Sequence, residues 1–336
     1  QIVFMAAKVQ SSPCTNGFAV RFVGRNRISD GLLNSIVAFV LPVTALQLWR
    51  ARRSRKSWAE VRFQLFAGGS PLQQEADAQG VDRDPVHYIK LPLLPSPAIP
   101  QRRALRFVCI SDTHLRHQWL EPLPPGDVLV HCGDFTNHGS LAEVQDFASW
   151  FGAQAHPVKL AVPGNHDMIL DVEYYEQFWS DWSAEHESTS AAIEVFLACG
   201  IKLLVDETVD VDGVKVHGSP WIKQDTPWKT GFNKLESELQ DHWCQLPEVS
   251  VLLTHMPPYG FGDRDVDGTH LGCRHLALRV AETRPRLHVF GHVHTDHGVF
   301  DHEVDGIPTT FANASSVCDY YWVGQRRPLV FDVSVT

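Results

Sequence analysis

Eight short apolar runs between residues 106 and 333 constrain the fold of this chain more than any other feature. Each run has six or seven residues and is bounded by turn residues, which is typical of β-strands. The predicted strands are 106–111, 127–133, 158–164, 214–219, 249–255, 286–292, 309–315 and 328–333. Strands this apolar are buried on both faces, so the pattern predicts an α/β or α+β sandwich with helices outside the sheets.

Helix and turn signals lie between these runs. Ser140 and Glu143 have the spacing of a capping box, which predicts a helix running to about Gly152. A second helix is predicted over 189–199 and is closed by a glycine at position 200. The Asp-Gly pair at 212–213 predicts a hairpin turn.

The residues before this region differ from it in charge and composition. Residues 1–103 hold 14 Lys and Arg against 6 Asp and Glu, a balance of +8, whereas residues 104–336 hold 15 against 33, a balance of −18. We predict a basic N-terminal segment over 1–66, a linker rich in Pro, Gly and Gln over 67–104, and a functional domain over 105–336. Because so acidic a domain repels phosphate backbones, a long nucleic acid is not expected as its partner.

Residues 31–49 carry no charge and precede five basic residues within 50–56. As a helix this stretch would span roughly 28 Å, close to the hydrocarbon thickness of a bilayer. We predict a membrane anchor, with a surface helix, a buried helix and a targeting segment left as alternatives. The basic flank would place the functional domain in the cytosol, and seven cysteines without paired spacing also favour a reducing compartment.

Five of the predicted strands end in Asp, Asn or His. The ends are Asp112-Thr113-His114, Gly133-Asp134, Gly164-Asn165-His166-Asp167, Thr254-His255 and Gly291-His292-Val293-His294. In open α/β sheets, binding sites form beyond the carboxyl ends of strands, so these side chains are candidates for one shared cleft. Imidazole suits transition metals, and carboxylate and amide oxygens suit harder ions, so the mixed set predicts a metal site without naming the metal.

These strand ends resemble a known family. The order Asp-x-His, Gly-Asp, Gly-Asn-His-Asp, a later His and Gly-His-x-His is similar to that of the calcineurin-like metallophosphoesterase superfamily, over roughly residues 105–335. More narrowly, the motifs GDFTNHGS, HGSPW, THMPPYG, Gly272-Cys273, HVFGHVH and FANAS resemble the metallophosphoesterase domain-containing group related to class III cyclic nucleotide phosphodiesterases. The resemblance implies a four-layer α-β-β-α sandwich, here with an N-terminal extension.

The resemblance also implies a site with two divalent or transition metal ions, drawn from Mn, Fe, Zn, Co and Ni. Carried over by position, Asp112, His114 and His294 would hold the first ion, Asn165, His255 and His292 the second, and Asp134 would bridge both. His166 would be the catalytic histidine. The implied activity is hydrolysis of small phosphodiesters, cyclic nucleotides among them, by in-line attack of a metal-bound hydroxide.

The chain departs from two other branches of the superfamily, and the departure from protein Ser/Thr phosphatases disfavours a phosphoprotein substrate. Protein Ser/Thr phosphatases carry an arginine in the continuation after Gly-Asp and end the third motif in Glu, whereas here Asp134 is followed by Phe-Thr-Asn-His and the motif ends in Asp167. The tyrosine ligand of purple acid phosphatases is absent from 135–139. A membrane-tethered binding or scaffold protein and a nuclease for short substrates stay open as alternatives. Trp221 either stacks on a substrate base or closes the core. Asp167 is predicted to anchor its loop or to orient a histidine rather than to bind metal.

Overall fold

The computed structural model of the protein describes residues 9–11, 18–20, 88–90, 103–224, 229–304, 306–318 and 326–335. The chain divides into two compact units, Gln1–Gly69 and Ser70–Thr336. In the first unit, Val9–Ser11 (β1) pairs antiparallel with Phe18–Val20 (β2). The anchor predicted at 31–49 lies outside the described residues and stays a prediction. Within the described ranges, no helix is both long enough and apolar enough to cross a membrane.

The first of two large sheets in the second unit has six strands. They are Tyr88–Lys90 (β3), Ala104–Ile110 (β4), Val128–His131 (β5), Val158–Ala161 (β6), Lys202–Leu203 (β7) and Leu329–Ser334 (β16), in the order β3-β16-β4-β5-β6-β7. Strands β4 to β7 run parallel, so their carboxyl ends lie at one edge. Strand β16 is antiparallel to β4 and parallel to β3.

The second large sheet also has six strands. They are Glu207–Val211 (β8), Val214–Ser219 (β9), Val251–Thr254 (β12), Leu287–Phe290 (β13), Gly298–Val304 (β14) and Ile307–Asn313 (β15), in the order β14-β15-β13-β12-β9-β8. The four central strands are parallel and the two edge strands are antiparallel. The predicted hairpin joins β8 to β9. Ile222–Lys223 (β10) and Asn233–Lys234 (β11) form a separate parallel pair.

Alternate residues along β4 show how the layers are built. Phe107 and Cys109 point into a core shared by the two large sheets, whereas Val108 and Ile110 point to the outer face. That outer face is covered by helices Leu141–Gly152 (α1), Val172–Phe178 (α2) and Thr189–Ala198 (α3). Helices Glu236–Trp243 (α4) and Arg274–Thr283 (α5) cover the outer face of the second sheet. The α-β-β-α order of layers predicted for this chain is therefore confirmed.

Each of the eight apolar runs overlaps a strand, and helices α1 and α3 form where they were predicted. The structure also contains strands that were not predicted from the sequence. Tyr88–Lys90 lies inside the segment predicted as a linker, and it pairs with the last strand of the chain. The sheet therefore includes backbone N-terminal to Ala104. The sequence did not predict this strand because a three-residue edge strand depends on its pairing partner rather than on its own composition.

Candidate metal centre

The candidate centre lies where the carboxyl ends of the two large sheets meet. The ends of β4, β5 and β6 supply Asp112, His114, Asp134, Asn165 and His166, and the ends of β12 and β13 supply His255, His292 and His294. Contacts link the polar atoms of these side chains into overlapping groups. The structure thus brings together all the residues predicted as metal ligands and the predicted catalytic histidine.

One group of ligand atoms is formed by Asp112, His114 and His294. The Nε2 atoms of His114 and His294 are 3.3 Å apart, and His294 Nε2 is 3.4 Å from Asp112 Oδ1. The three ligand atoms lie within 4.8 Å of one another. Burial lowers the pKa of His114 well below its ordinary value, so its imidazole is neutral and can donate a lone pair to a metal. This group fits a transition-metal ion.

A second group is formed by Asp134, His255 and His292, with Asn165 beside it. His255 Nε2 lies 3.4 Å from Asp134 Oδ1 and 3.1 Å from Asn165 Oδ1. Because its Nδ1 donates to the Cys132 carbonyl at 2.8 Å, Nε2 is the atom that faces the centre. Burial would lower the pKa of His255, but the Asp134 carboxylate raises it to about 9. A proton on His255 then supplies positive charge beside Asp134 in the metal-free protein, which indicates that the group favours a cation.

Asp134 lies between the two groups. Its Oδ1 approaches His255 and its Oδ2 is 3.6 Å from His114 Nε2. Burial would raise the pKa of Asp134, but His255 and His166 beside it hold that pKa well below its usual range, so the side chain is a carboxylate. An ionised carboxylate with one oxygen toward each group has the position required of a bridging ligand.

The backbone at several of these ligands is in the left-handed region. The φ angles are +51° at Asp112, +43° at His114, +56° at Asp134 and +67° at His292. Non-glycine residues adopt such angles at a cost, and they persist where the surrounding contacts hold them. At His292 the backbone N–H donates to both carboxylate oxygens of Asp112 at 3.0 Å. The strain and the contacts that maintain it coincide with the candidate centre.

His166 is placed beside these groups by two hydrogen bonds. Its backbone N–H donates to Asp134 Oδ1 at 2.8 Å, and its Nδ1 lies 2.7 Å from the Asn137 carbonyl. A carbonyl only accepts, so Nδ1 carries the hydrogen and Nε2 is the atom left for other work. The ring lies edge-on to that of His114, with centroids 4.8 Å apart, and His166 also forms a potential metal-binding group with His114 and Asp134.

Residues 105–296 match the family of calcineurin-like phosphoesterases. The chain belongs to this family. Metallophosphoesterase domain-containing protein 1 of Homo sapiens is 37% identical to it over 240 residues, which cover 68% of this chain and 71% of that protein. The narrower resemblance to the metallophosphoesterase domain-containing group is thereby confirmed.

Two UPF0046 proteins of Caenorhabditis elegans are also similar to this phosphoesterase. One is 35% identical over 260 residues, covering 73% of this chain and 89% of the relative. Another is 32% identical over 299 residues, covering 88% of this chain and 96% of the relative. A match that covers 88% of the chain must include residues before 105, so the similarity to this relative extends beyond the predicted catalytic domain.

Asp167 supports the centre of this phosphoesterase rather than joining it. Its buried carboxylate accepts from the backbone N–H groups of Gly164 at 2.7 Å, Asp134 at 2.8 Å and Thr136 at 3.0 Å. Burial and the neighbouring Asp134 raise the pKa of Asp167 to about 7. The contacts tie the loop after β5 to the loop after β6, as expected for a residue that anchors its loop.

Asn313 is a supporting residue that sequence reasoning did not single out, although it lies in the FANAS motif. Its side-chain amide donates to the carbonyls of Val293 and Gly262, each at 2.8 Å. Val293 separates His292 from His294, so Asn313 fixes the backbone between two candidate ligands. The motif carried a family signal, but its physical role depends on a contact 20 residues away along the chain.

Trp221 does not belong to either ligand group. Its indole N–H donates to Asp206 at 2.6 Å, and the Lys234 ammonium lies 3.7 Å from the ring centroid. The ring is partly buried and lies edge-on to Phe232 and His242. These contacts account for Trp221 as a packing residue, and its predicted role in substrate binding stays a prediction.

Gly291→Ala is expected to lower metal affinity and turnover by about 10–100-fold each. A Cβ at position 291 would collide with Asp112 Oδ2 and Ser111 Oγ, and would therefore displace a candidate ligand. Elemental analysis and turnover of one preparation measure the effect. Gly268→Ala is a suitable control: its φ of +84° makes a side chain strained, but a Cβ would meet no atom within 4 Å. Full metal binding by Gly291→Ala would show that Asp112 is not a ligand.

Proposed function

We propose that this phosphoesterase hydrolyses small phosphodiesters, cyclic nucleotides among them, at a centre that holds two metal ions. The observation that carries the proposal is the position of Asp134, with one carboxylate oxygen toward His114 and the other toward His255. Two ligand groups that share one carboxylate are the arrangement expected of a dinuclear site.

The donor set supports transition-metal ions, with Mn, Fe, Zn, Co and Ni as candidates. Asp112, His114 and His294 would hold one ion and Asn165, His255 and His292 the other, with Asp134 shared. Such a pair of ions, when bound, polarises the phosphoryl oxygens and lowers the pKa of a bound water.

The protein's own contribution to the reaction would come from His166. With Nδ1 donating to Asn137, a ring that also carries a proton on Nε2 can donate from that atom to the phosphoryl group or give that proton to the departing oxygen. The Asn137 carbonyl, which accepts from Nδ1, and the Asp134 carboxylate, which accepts from the backbone N–H of His166, hold the ring beside the ligand groups.

The charge of the domain supports a small substrate. A balance of −18 over residues 104–336 opposes the approach of a polyphosphate, whereas one diester linkage carries a single negative charge that bound metal ions would offset. A small phosphoester is therefore the proposed partner.

The proposal is tested with the full chain, stripped by chelation and reloaded with Mn, Zn, Fe, Co or Ni in turn. Elemental analysis should give two ions per chain. Reloaded protein should hydrolyse bis(p-nitrophenyl) phosphate faster than the monoester p-nitrophenyl phosphate, and 2′,3′- and 3′,5′-cyclic AMP test the narrower substrate class. Preferential monoester hydrolysis would contradict the diesterase assignment, and metal binding without hydrolysis of any ester would favour the scaffold alternative.

A further inference from the structure

We propose that Glu143 is a positioning residue for His166, acting through the loop of residues 137–139. The inference rests on the proposed function, since His166 has a catalytic role only if the centre cleaves phosphoesters. It adds to that function a residue on the first turn of α1 that the motifs of the centre do not include.

The first step is the hydrogen bonding of Glu143. One carboxylate oxygen, Oε2, accepts from the backbone N–H groups of Asn137 at 3.2 Å, His138 at 2.8 Å and Gly139 at 3.0 Å. A capping box would direct this carboxylate only to the N-cap residue Ser140, whose hydroxyl does accept from the Glu143 N–H. Glu143 thus binds the turn that precedes the helix as well as the start of the helix.

The second step runs from that turn to His166. The Asn137 carbonyl accepts from His166 Nδ1 at 2.7 Å, and this bond decides which ring nitrogen carries the hydrogen. The Asn137 peptide is therefore held at its N–H by Glu143 and in turn holds the imidazole through its C=O. Two hydrogen bonds connect the carboxylate on α1 to the ring of His166.

The third step is the packing of the turn. Gly139 has a φ of +67°, and a Cβ on it would collide with the backbone nitrogen of Met168. The turn is therefore in close contact with the segment that follows His166. The three N–H contacts to Glu143 and the close approach of Gly139 to Met168 together fix the turn that carries the Asn137 carbonyl.

Glu187 supplies a matched control. Its carboxylate accepts from the Leu141 N–H at 2.9 Å, so it binds the same end of α1 with the same chemistry. The backbone N–H groups of residues 137–139 donate to Glu143, whereas Glu187 accepts from Leu141. Glu187→Ala therefore reproduces the loss of an acceptor at the helix terminus without loosening Asn137.

The test compares Glu143→Ala, Glu143→Gln and Glu187→Ala in the full chain loaded with Zn. The substrates are methyl p-nitrophenyl phosphate and methyl phenyl phosphate. Phenol, with a pKa of about 10 like the tyrosine side chain, leaves poorly unless it is protonated, whereas p-nitrophenolate leaves readily. A misplaced His166 therefore affects the phenyl ester more than the nitrophenyl ester.

We expect Glu143→Ala to lower kcat for methyl phenyl phosphate by about 10²-fold, and for methyl p-nitrophenyl phosphate by less than about tenfold, with KM and Zn content unchanged. Glu143→Gln should stay within about fivefold of the wild type because its amide oxygen still accepts N–H groups. Glu187→Ala should match the wild type. Equal losses on both esters, or a parallel loss of Zn, would overturn the proposal.

A readout that needs no turnover separates the two proposals. In Zn-loaded, ¹⁵N-histidine-labelled protein, the NMR signal of the His166 Nδ1–H is assigned by its absence in His166→Asn. The signal should be present in the wild type and Glu143→Gln and lost by exchange in Glu143→Ala. A signal unchanged in Glu143→Ala overturns the positioning role. A wild type that cleaves neither ester yet shows the expected signals overturns the proposed function alone.

Discussion

Replacing Asp134 with Asn is expected to lower phosphodiester hydrolysis by about 10³-fold or more and to reduce metal content at both positions. The carboxylate lies between His114 and His255, so removing its charge withdraws the shared ligand. Asn keeps an oxygen that can accept the His166 N–H, so the loop should retain its conformation. Turnover, elemental analysis and thermal melting of one preparation measure these effects.

Asp146→Asn is the matched control for this change. Asp146 is a half-exposed carboxylate on α1 whose oxygen accepts from the Gln118 side chain. Turnover and metal content of Asp146→Asn should stay unchanged, and its thermal melting is measured alongside because Asp146 Oδ2 also lies 3.4 Å from Nε2 of the buried His117. An Asp134→Asn variant that binds two ions and turns over normally would exclude Asp134 as the bridging ligand.

His292→Gly is expected to reduce turnover by about 10²-fold and to lower occupancy of the second metal position. The residue has a φ of +67°, which glycine adopts freely, and the backbone N–H that donates to Asp112 is retained. The thermal melting temperature of the metal-free variant should therefore equal or exceed that of the metal-free wild type. Loss of turnover with a maintained or raised melting temperature would show that His292 acts as a metal ligand and is not needed for the stability of the fold.

Arg284→Gly is a control for the backbone effect. Arg284 also has a left-handed backbone, with a φ of +50°, but it follows helix α5 and lies outside the candidate centre. Glycine there should benefit the backbone in the same way and leave metal content unaltered. Full activity of His292→Gly with a single ion bound would contradict the two-metal mechanism.

The sequence predicts the large strands well because they are buried on both faces. The strand 251–254 is apolar at its first three positions and buried at all four, so both of its faces carry an apolar signal. Edge strands are harder to predict. Gly298–Val304 has three consecutive polar residues at 301–303, and Tyr88–Lys90 is short, so both strands acquire their conformation from pairing with a neighbour.

The candidate ligands could be selected from the sequence because each follows an apolar strand directly. The residues that hold these ligands in place could not be selected in the same way. Asp167 accepts from a residue 33 positions away, and Glu143 reaches back over the turn that begins its own helix, contacts that depend on how the loops fold. Spacing predicted a capping box at Glu143, but spacing does not say that the carboxylate also binds Asn137.

The division of the candidate ligands between two sheets has a consequence for the order of assembly. Asp112, His114, Asp134 and Asn165 are synthesised before any residue of β12 or β13, and the last strand, β16, must insert between β3 and β4 to complete the first sheet. A nascent chain released only as far as residue 250 would hold part of each ligand group and neither complete set. We therefore expect the two candidate metal positions to be completed only late in biogenesis, after both halves of the chain have left the ribosome.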